Sequence, residues 1–144
     1  MKRTLLLILL LLAVAGGWYG YREWNRKNKD LTDVQATAQT TAASLIKAFE
    51  SDSAAATKQY VDRVIAVQGK VKQVDAEGNP VVIFLGEEGS MSSVKCSMDS
   101  VHADQYEALA KGSPVTIKGT CSGYQTQELL GTDVELTRCV IQIK

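Results

Sequence analysis

The chain has 144 residues, of which 45% are hydrophobic, enough for one modest globular domain and an additional segment. Its 16 basic and 16 acidic residues balance, but the first 30 residues hold six of the bases and only two of the acids. The other 114 residues therefore carry 10 bases and 14 acids. Because phosphate contacts supply most of the affinity of a nucleic-acid-binding protein, this acidic balance argues against that class.

Residues 1–21 are predicted to be a transmembrane anchor or a signal sequence. Thr4–Tyr21 is uncharged over 18 residues, close to the shortest helix that spans a bilayer. Its far end carries three aromatic residues of the kind found at a membrane–water interface: Trp18, Tyr19 and Tyr21. A cleaved signal peptide is the alternative, because the small residues before Gly16 resemble a peptidase site. Residues 22–30, which are polar and lack apolar periodicity, are predicted to be a juxtamembrane linker.

The orientation of this segment depends on two opposing signals. Four bases follow the apolar stretch and two precede it, which by itself favours a cytoplasmic domain. The short basic N-terminus and the cysteines favour export, since disulfides persist in oxidising compartments. We therefore expect a single-pass protein of the cell membrane, with its domain on the exported (periplasmic or extracytoplasmic) side.

Residues 31–60 are predicted to be helical. Thr32 and Gln35 fit a capping box that begins a helix running to about Glu50, with apolar residues recurring at helical spacing. A second short helix, Ala54–Gln59, is expected to lead into the main domain.

Residues 61–144 are predicted to form a β domain. Apolar runs separated by turn residues indicate five strands: Tyr60–Val74, Val81–Leu85, Ser93–Met98, Pro114–Cys121 and Val134–Ile143. A short helix, Ala103–Lys111, is expected between the third and fourth strands.

The first and fourth strands share a local pattern. Ile65–Val71 and Val115–Cys121 both alternate apolar residues and contain a glycine, Gly69 or Gly119, before the last apolar position. Glycine lets a strand bend sharply enough to pair with two neighbours in succession. The fold class predicted is mainly β: a five-stranded OB-fold Greek-key barrel, preceded by the N-terminal helices and the transmembrane or signal-anchor helix.

Further residues extend this pattern over most of the main domain: Tyr60, Arg63, Val94, Cys96, Gly112, Gly123, Leu136 and Cys139. With the two glycine-containing strands, they resemble the bacterial tRNA_anti-like OB-fold family of predicted lipoproteins and membrane-anchored exported proteins. The resemblance covers about Lys47–Ile143 and implies an OB fold and an exported location. It implies no RNA contact and transfers no catalytic residues. This chain departs from the lipoprotein members because no Cys stands directly after its apolar segment, where a lipoprotein carries its lipid.

The three cysteines suggest a disulfide. If the last two strands form a hairpin centred near Leu130, Cys121 lies opposite Cys139, at a separation that a disulfide can bridge. The Cys121–Cys139 bond is therefore predicted. In an OB barrel the fifth strand also neighbours the third, so Cys96–Cys139 is the alternative pairing. Under the first pairing, Cys96 is expected to be a buried small hydrophobe.

No catalytic, cofactor-binding or metal-binding residues are predicted. His102 is the only histidine, and no second His or Cys lies at ligand spacing, which argues against a zinc site. The adjacent acids Glu87 and Glu88 are expected to be solvated turn residues. The chain has neither a P-loop nor a dinucleotide fingerprint. We therefore expect a protein that is not an enzyme and needs no cofactor.

The candidate binding face is the outer surface of the second and third strands with the loops beside it. Phe84, Lys95 and Tyr124 are its candidate residues. Because Val81–Leu85 is apolar on both faces, a protein or peptide partner is expected first. Single-stranded nucleic acid, which stacks on exposed aromatics between basic residues, is the alternative.

Overall fold

A computed structural model describes residues 14–22, 30–127, 129 and 131–142 of the chain. Residues 14–22 form helix α1, which is exposed along its length. Within the described ranges, no helix is both long enough and apolar enough to cross a bilayer. Residues 1–13, most of the predicted anchor, lie outside the described residues, as do residues 23–29 of the predicted linker.

The remaining elements follow in one order along the chain: β1 (Ala38–Thr41), α2 (Ala42–Ser51), α3 (Ser53–Tyr60), β2 (Val64–Asp75), β3 (Val82–Leu85), β4 (Ser93–Met98), a 3₁₀ helix (Ala103–Ala108), β5 (Pro114–Gln127) and β6 (Gly131–Ile141). The last five strands pair in the order β2-β3-β4-β6-β5, and β5 pairs back with β2 to close a barrel. Only the β4–β6 pair in this barrel is parallel. The predicted five-stranded OB-type barrel is confirmed.

The closure depends on the length and bend of β2. Its first half, Val64–Lys70, pairs with β5, and its second half, from Val71 onward, pairs with β3. The partner changes just after Gly69, where a Cβ would lie 3.0 Å from the Ala42 Cβ. Gly119 in β5 is more crowded, since a Cβ there would lie 2.6 Å from the Cys139 Sγ. Close approach of β6 therefore requires glycine at 119, whereas a side chain at 69 would force its neighbours to shift slightly.

The barrel interior is filled by alternate residues of every strand, as the period of two requires. Its fully buried side chains are aliphatic or sulfur-containing: Ile65, Val67, Val71, Ile83, Leu85, Val94, Cys96, Ile117, Cys121, Val134, Leu136 and Cys139. Helix α2 adds Leu45 and Phe49 to the same cluster. The helix thus packs its apolar stripe against the barrel.

The prediction of a helix starting at Thr32 was wrong. The chain is extended through β1, which pairs in parallel with Ile65–Gln68 of β2, and α2 begins only at Ala42. Its N-cap is Thr41, whose Oγ1 accepts a hydrogen bond from the Ser44 N–H at 3.2 Å. Because β3 pairs only with the second half of β2, one edge of the first half is free to form backbone hydrogen bonds with β1. These hydrogen bonds outweigh the local capping signal at Thr32.

The second helix matches its prediction closely. Asp52 caps α3 by accepting a hydrogen bond from the Ala55 N–H at 2.9 Å, and the helix ends at Tyr60. The helix expected at Ala103–Lys111 is shorter and has 3₁₀ geometry. Gly112 then adopts a left-handed φ of +82°, which returns the chain to β5.

Residues 30–41, which we call the strap, are held on the outside of the barrel by hydrogen bonds from polar side chains. The Lys118 Nζ, on a residue that is 5% exposed, donates to the Thr32 and Val34 carbonyls at 2.9 and 2.8 Å. His102 Nε2 lies 2.9 Å from Asp30 Oδ2. Hydrogen bonds from Thr32, followed by that from His102, lower the pKa of Asp30 to about 2. The strap therefore has a defined position although much of it is irregular.

Replacing Gly119 with Ala tests the close approach in β5. The added methyl would meet the buried Cys139 Sγ at 2.6 Å and the Thr137 carbonyl at 3.2 Å, so the backbone must shift. We expect a loss of about 1–3 kcal/mol in the free energy of unfolding, measured by urea denaturation. Gly78→Ala is the control, because its Cβ meets nothing closer than the Pro80 carbonyl at 3.5 Å. Equal midpoints for the two variants would contradict the argument.

Candidate binding face

The outer face of the barrel carries one continuous row of opposed residues. Gln73 of β2 lies opposite Phe84 of β3, Phe84 opposite Lys95 of β4, and Lys95 opposite Glu135 of β6. Their chain neighbours Ile83, Val94 and Leu136 are buried, so this row points outward. We call Gln73, Phe84, Lys95 and Glu135 the face row. The structure thus brings two of the predicted face residues, Phe84 and Lys95, into direct opposition.

Phe84 is half-buried rather than fully exposed. Its side chain is therefore only partly exposed on the barrel surface. The sequence pattern, apolar on both faces of Val81–Leu85, left open whether Phe84 belonged to the core. The alternation in β3, with Ile83 and Leu85 at 0% exposure, places it on the outside.

The charge of Lys95 is neutralised by a neighbouring carboxylate. Its Nζ lies 2.8 Å from Asp133 Oδ2, and the Ser93 hydroxyl donates to the other oxygen of that carboxylate at 2.6 Å. Burial raises the pKa of Asp133, but hydrogen bonds from Lys95 and Ser93 and the Lys95 charge outweigh it, and the pKa is lowered overall. Glu135 adds a second carboxylate and accepts a hydrogen bond from Gln125 at 3.1 Å. The surroundings of Lys95 are therefore acidic.

Tyr124 does not join the face row. It lies opposite Val134, whose side chain is buried in the barrel, so it points to the other side of the sheet. There its ring packs against Phe49 of α2, with centroids 4.8 Å apart and planes at 33°. The ring centroids of Phe49 and Tyr60 are 6.2 Å apart. Tyr124 thus helps dock the helix on the barrel.

Sequence reasoning missed Gln73, Asp133 and Glu135 as parts of this surface. The signal was present in β6, where Val134 and Leu136 alternate with the two acids. Reading that alternation would have placed both carboxylates on the outer face. What the alternation could not give is the parallel register that sets Glu135 opposite Lys95.

The predicted Cys121–Cys139 disulfide is not formed; all three cysteines are buried free thiols. Irregularities in the β5–β6 ladder after Lys118 and after Cys121 shift the register, so Cys121 lies opposite Leu136. Burial raises the pKa of Cys139 well above its usual range, with a further contribution from nearby Cys96. Burial also raises the pKa of Cys121. These thiols pack as small hydrophobes, as expected for Cys96, and give no support to an oxidising compartment.

Among the residues described, His, Cys, Asp and Glu form no group of three that could hold a metal ion. The side chains of Glu87 and Glu88 lie in an exposed turn, and Lys111 is 3.4 Å from Glu88. His102 contacts the strap through Asp30. The face row contains an aromatic ring, an amide and two charged groups, and none of these forms a metal site.

The tRNA_anti-like family model matches residues 1–134. The chain belongs to the tRNA_anti-like family. No curated protein matches this tRNA_anti-like chain. It shares its fold with a Klebsiella pneumoniae subsp. pneumoniae lipoprotein that is provisionally described as nucleic acid-binding. The two are 17% identical with a TM-score of 0.56, and the match covers 82% of this chain and all 100% of the other.

Two further solved structures resemble the tRNA_anti-like chain more distantly. The OBody NL8, solved bound to hen egg-white lysozyme, is 15% identical with a TM-score of 0.41, over 56% of this chain and 96% of the OBody. A Leishmania major protein provisionally described as an aspartyl-tRNA synthetase is 9% identical with a TM-score of 0.46, over 87% of this chain and 25% of that one. At such identities only the fold is shared, and these two scores support no argument.

The Lys95–Asp133 pair predicts a pH-dependent stability. Because the folded pKa of Asp133 is depressed, its contribution is present above the unfolded value of about 3.9 and is lost as pH falls through the folded value. Asp133→Asn should therefore lower the free energy of unfolding at pH 7 by about 1 kcal/mol, and by much less near pH 2.

Urea denaturation at both pH values measures this difference. Glu88→Gln is the matched control, because its ion pair with Lys111 is largely exposed and should contribute little at either pH. A destabilisation by Asp133→Asn that does not change with pH would mean that the charge of Asp133 is not the cause.

Proposed function

We propose that this protein is an exported, membrane-tethered binding module without catalytic activity, and that its face row takes a protein or peptide segment. The observation that carries the proposal is the position of Phe84, a partly exposed aromatic ring between Gln73 and Lys95 on the outer wall of the barrel. An aromatic side chain bordered by polar groups is a common anchor in protein interfaces.

The charges beside Phe84 favour a protein partner over nucleic acid. Lys95 already has a carboxylate partner in Asp133, and Glu135 lies directly opposite it. A phosphate approaching this row would meet two carboxylates and would have to displace one of them. A peptide backbone, or a basic side chain, meets no such repulsion.

The tether is supported by two independent observations. Thr4–Tyr21 is uncharged and aromatic at its far end, as an interfacial anchor requires. The similar Klebsiella pneumoniae protein is described as a lipoprotein, a class attached to membranes through a lipid; this chain, which has no Cys directly after its apolar segment, would use that segment instead. We therefore place the barrel at the membrane surface, held by the N-terminal segment.

Single-stranded nucleic acid is the second candidate. It is favoured by the provisional description of the Klebsiella pneumoniae relative as nucleic acid-binding, and by the stacking capacity of Phe84. It is opposed by the acidic surroundings of Lys95.

Site-specific crosslinking tests the face row. A photoreactive phenylalanine analogue in place of Phe84, in the full chain in intact membranes, should yield a discrete protein adduct. The same analogue in place of Val101, an apolar residue that is 74% exposed and lies outside the row, is the control. The Phe84 adduct should weaken when Gln73→Ala is added, because the two side chains are opposed. Identical adducts from both positions would count against the face row.

Binding of a single-stranded oligonucleotide separates the two candidates. The full chain in detergent should show no retention on immobilised oligo-dT at low ionic strength that Phe84→Ala abolishes, because Lys95, the cation of the face row, is already paired. Retention that falls with salt and is abolished by Phe84→Ala would instead favour the nucleic-acid function.

Fractionation tests the tether. The full chain should remain with the membrane after alkaline carbonate washing, and a variant lacking residues 1–21 should be released. Protease added to intact spheroplasts should digest the barrel, because we place it on the exported side. Protection of the barrel in intact spheroplasts, with digestion only after lysis, would reverse the orientation.

A further inference from the structure

A second concave surface lies outside the face row. It is a groove of about 1180 Å³ between α2, the middle of β2, the loop that joins β3 to β4, and residues 111–114. None of its lining residues belongs to the face row. Its volume exceeds the range of about 300–1,000 Å³ usual for small-molecule sites, so it has room for a ligand larger than a single ion.

Four lysines line this groove: Lys47, Lys70, Lys72 and Lys111. They are four of the nine bases that the structure describes beyond residue 30. Lys70 and Lys72 lie on either side of the buried Val71, where the β2–β3 register is irregular, and both line the groove. Lys47 projects from α2, one helical turn after Ala43, which also lines the groove. Three parts of the chain that are distant in sequence thus contribute lysines to the same groove.

Most of these charges have no carboxylate partner. Lys47 and Lys70 form no ion pair with any acid in the described part of the chain. The Lys72 Nζ donates to the Ser90 carbonyl, a neutral acceptor that holds the ammonium at the groove edge. Only Lys111 has an acidic partner here, Glu88 at 3.4 Å. Lys95 on the face row, in contrast, is paired at 2.8 Å.

The groove also contains three acids, and their positions limit their effect. Glu50 accepts a hydrogen bond from the Ser92 hydroxyl at 2.9 Å, which turns its carboxylate toward the β3–β4 loop. Glu87 and Glu88 are exposed, and the Glu88 side chain is 87% exposed, so they can rotate into solvent. With four lysines and three carboxylates, the groove lining carries one more positive than negative charge, on a domain that is acidic overall.

We propose that this groove binds a phosphate-bearing ligand, whose negative groups contact Lys47, Lys70 and Lys72. A lysine ammonium binds phosphate as a compact point charge, and several lysines on different elements suit a ligand with more than one phosphate group. This site goes beyond the proposed function, because it shares no residue with the face row and does not depend on a peptide partner there.

Titration calorimetry of the full chain in detergent with inorganic tripolyphosphate tests the proposal. The measurement is made at low and at moderate salt. We expect saturable binding that weakens with salt. Lys70→Gln with Lys72→Gln should weaken binding by about tenfold or more, since hydrogen bonds to charged groups contribute most of the affinity at such a site. The matched control, Lys58→Gln with Arg63→Gln, removes the same charge at two exposed positions outside the groove and should leave the affinity unchanged.

Removing the rim carboxylates should have the opposite effect. Glu87→Gln with Glu88→Gln should tighten tripolyphosphate binding about two- to threefold, because it lowers repulsion at the groove edge. Absence of saturable binding, or equal weakening by the groove and control pairs, would overturn the proposal. Urea midpoints of all variants should match the wild type, since these side chains are not in the core.

A competition arm identifies the source of the phosphate. Displacement of tripolyphosphate by oligo-dT would assign the groove to a phosphodiester chain, and failure to displace it would assign a small phosphorylated compound. Both results support a phosphate site. Phe84→Ala should affect neither, so failure of the face-row proposal and failure of this one are distinguished by different variants.

Discussion

The pairing of β2 with β5 is the constraint on which the rest of the structure depends. Seven consecutive residue pairs, from Val64 opposite Thr120 to Lys70 opposite Pro114, join the first and fourth barrel strands. To make these pairs and still reach β3, β2 must change partner within a few residues. The closed barrel brings α2 and β3 so near Gly69 that a Cβ would be tightly packed, and β6 so near Gly119 that a Cβ would clash. Once the barrel is closed, alternate side chains are committed inward or outward on every strand.

The closed barrel also explains the unexpected path of the strap. Because β3 pairs only with the second half of β2, the first half has a free side, and β1 occupies it in parallel. A buried lysine without a carboxylate partner is costly unless its ammonium is hydrogen-bonded. Lys118 meets that requirement with the Thr32 and Val34 carbonyls, so strap and barrel wall depend on each other. These two hydrogen bonds hold Thr32 and Val34 against the barrel wall.

The distribution of charge divides the surface into two regions of different character. On the face row, Lys95 is paired with Asp133 and flanked by Glu135, and the accessible ring of Phe84 is the main feature. In the groove beside α2, Lys47 and Lys70 have no acidic partner among the described residues. The proposed protein segment would contact the first surface and the proposed phosphate-bearing ligand the second. The two sets of residues do not overlap.

The sequence by itself determined the barrel, because local signals and the fold agree there: period-two strands, bending glycines at 69 and 119, and Asp52 capping α3. It also indicated that Phe84 and Lys95 lie together. Tertiary structure alone decided the strap, the register of Cys121 and the position of Tyr124. Each of these depends on a partner distant in the chain: β2 for the strap, two ladder irregularities for Cys121, and Phe49 for Tyr124. A single sequence records local preference, whereas long-range hydrogen bonds and packing decide between preferences of similar strength.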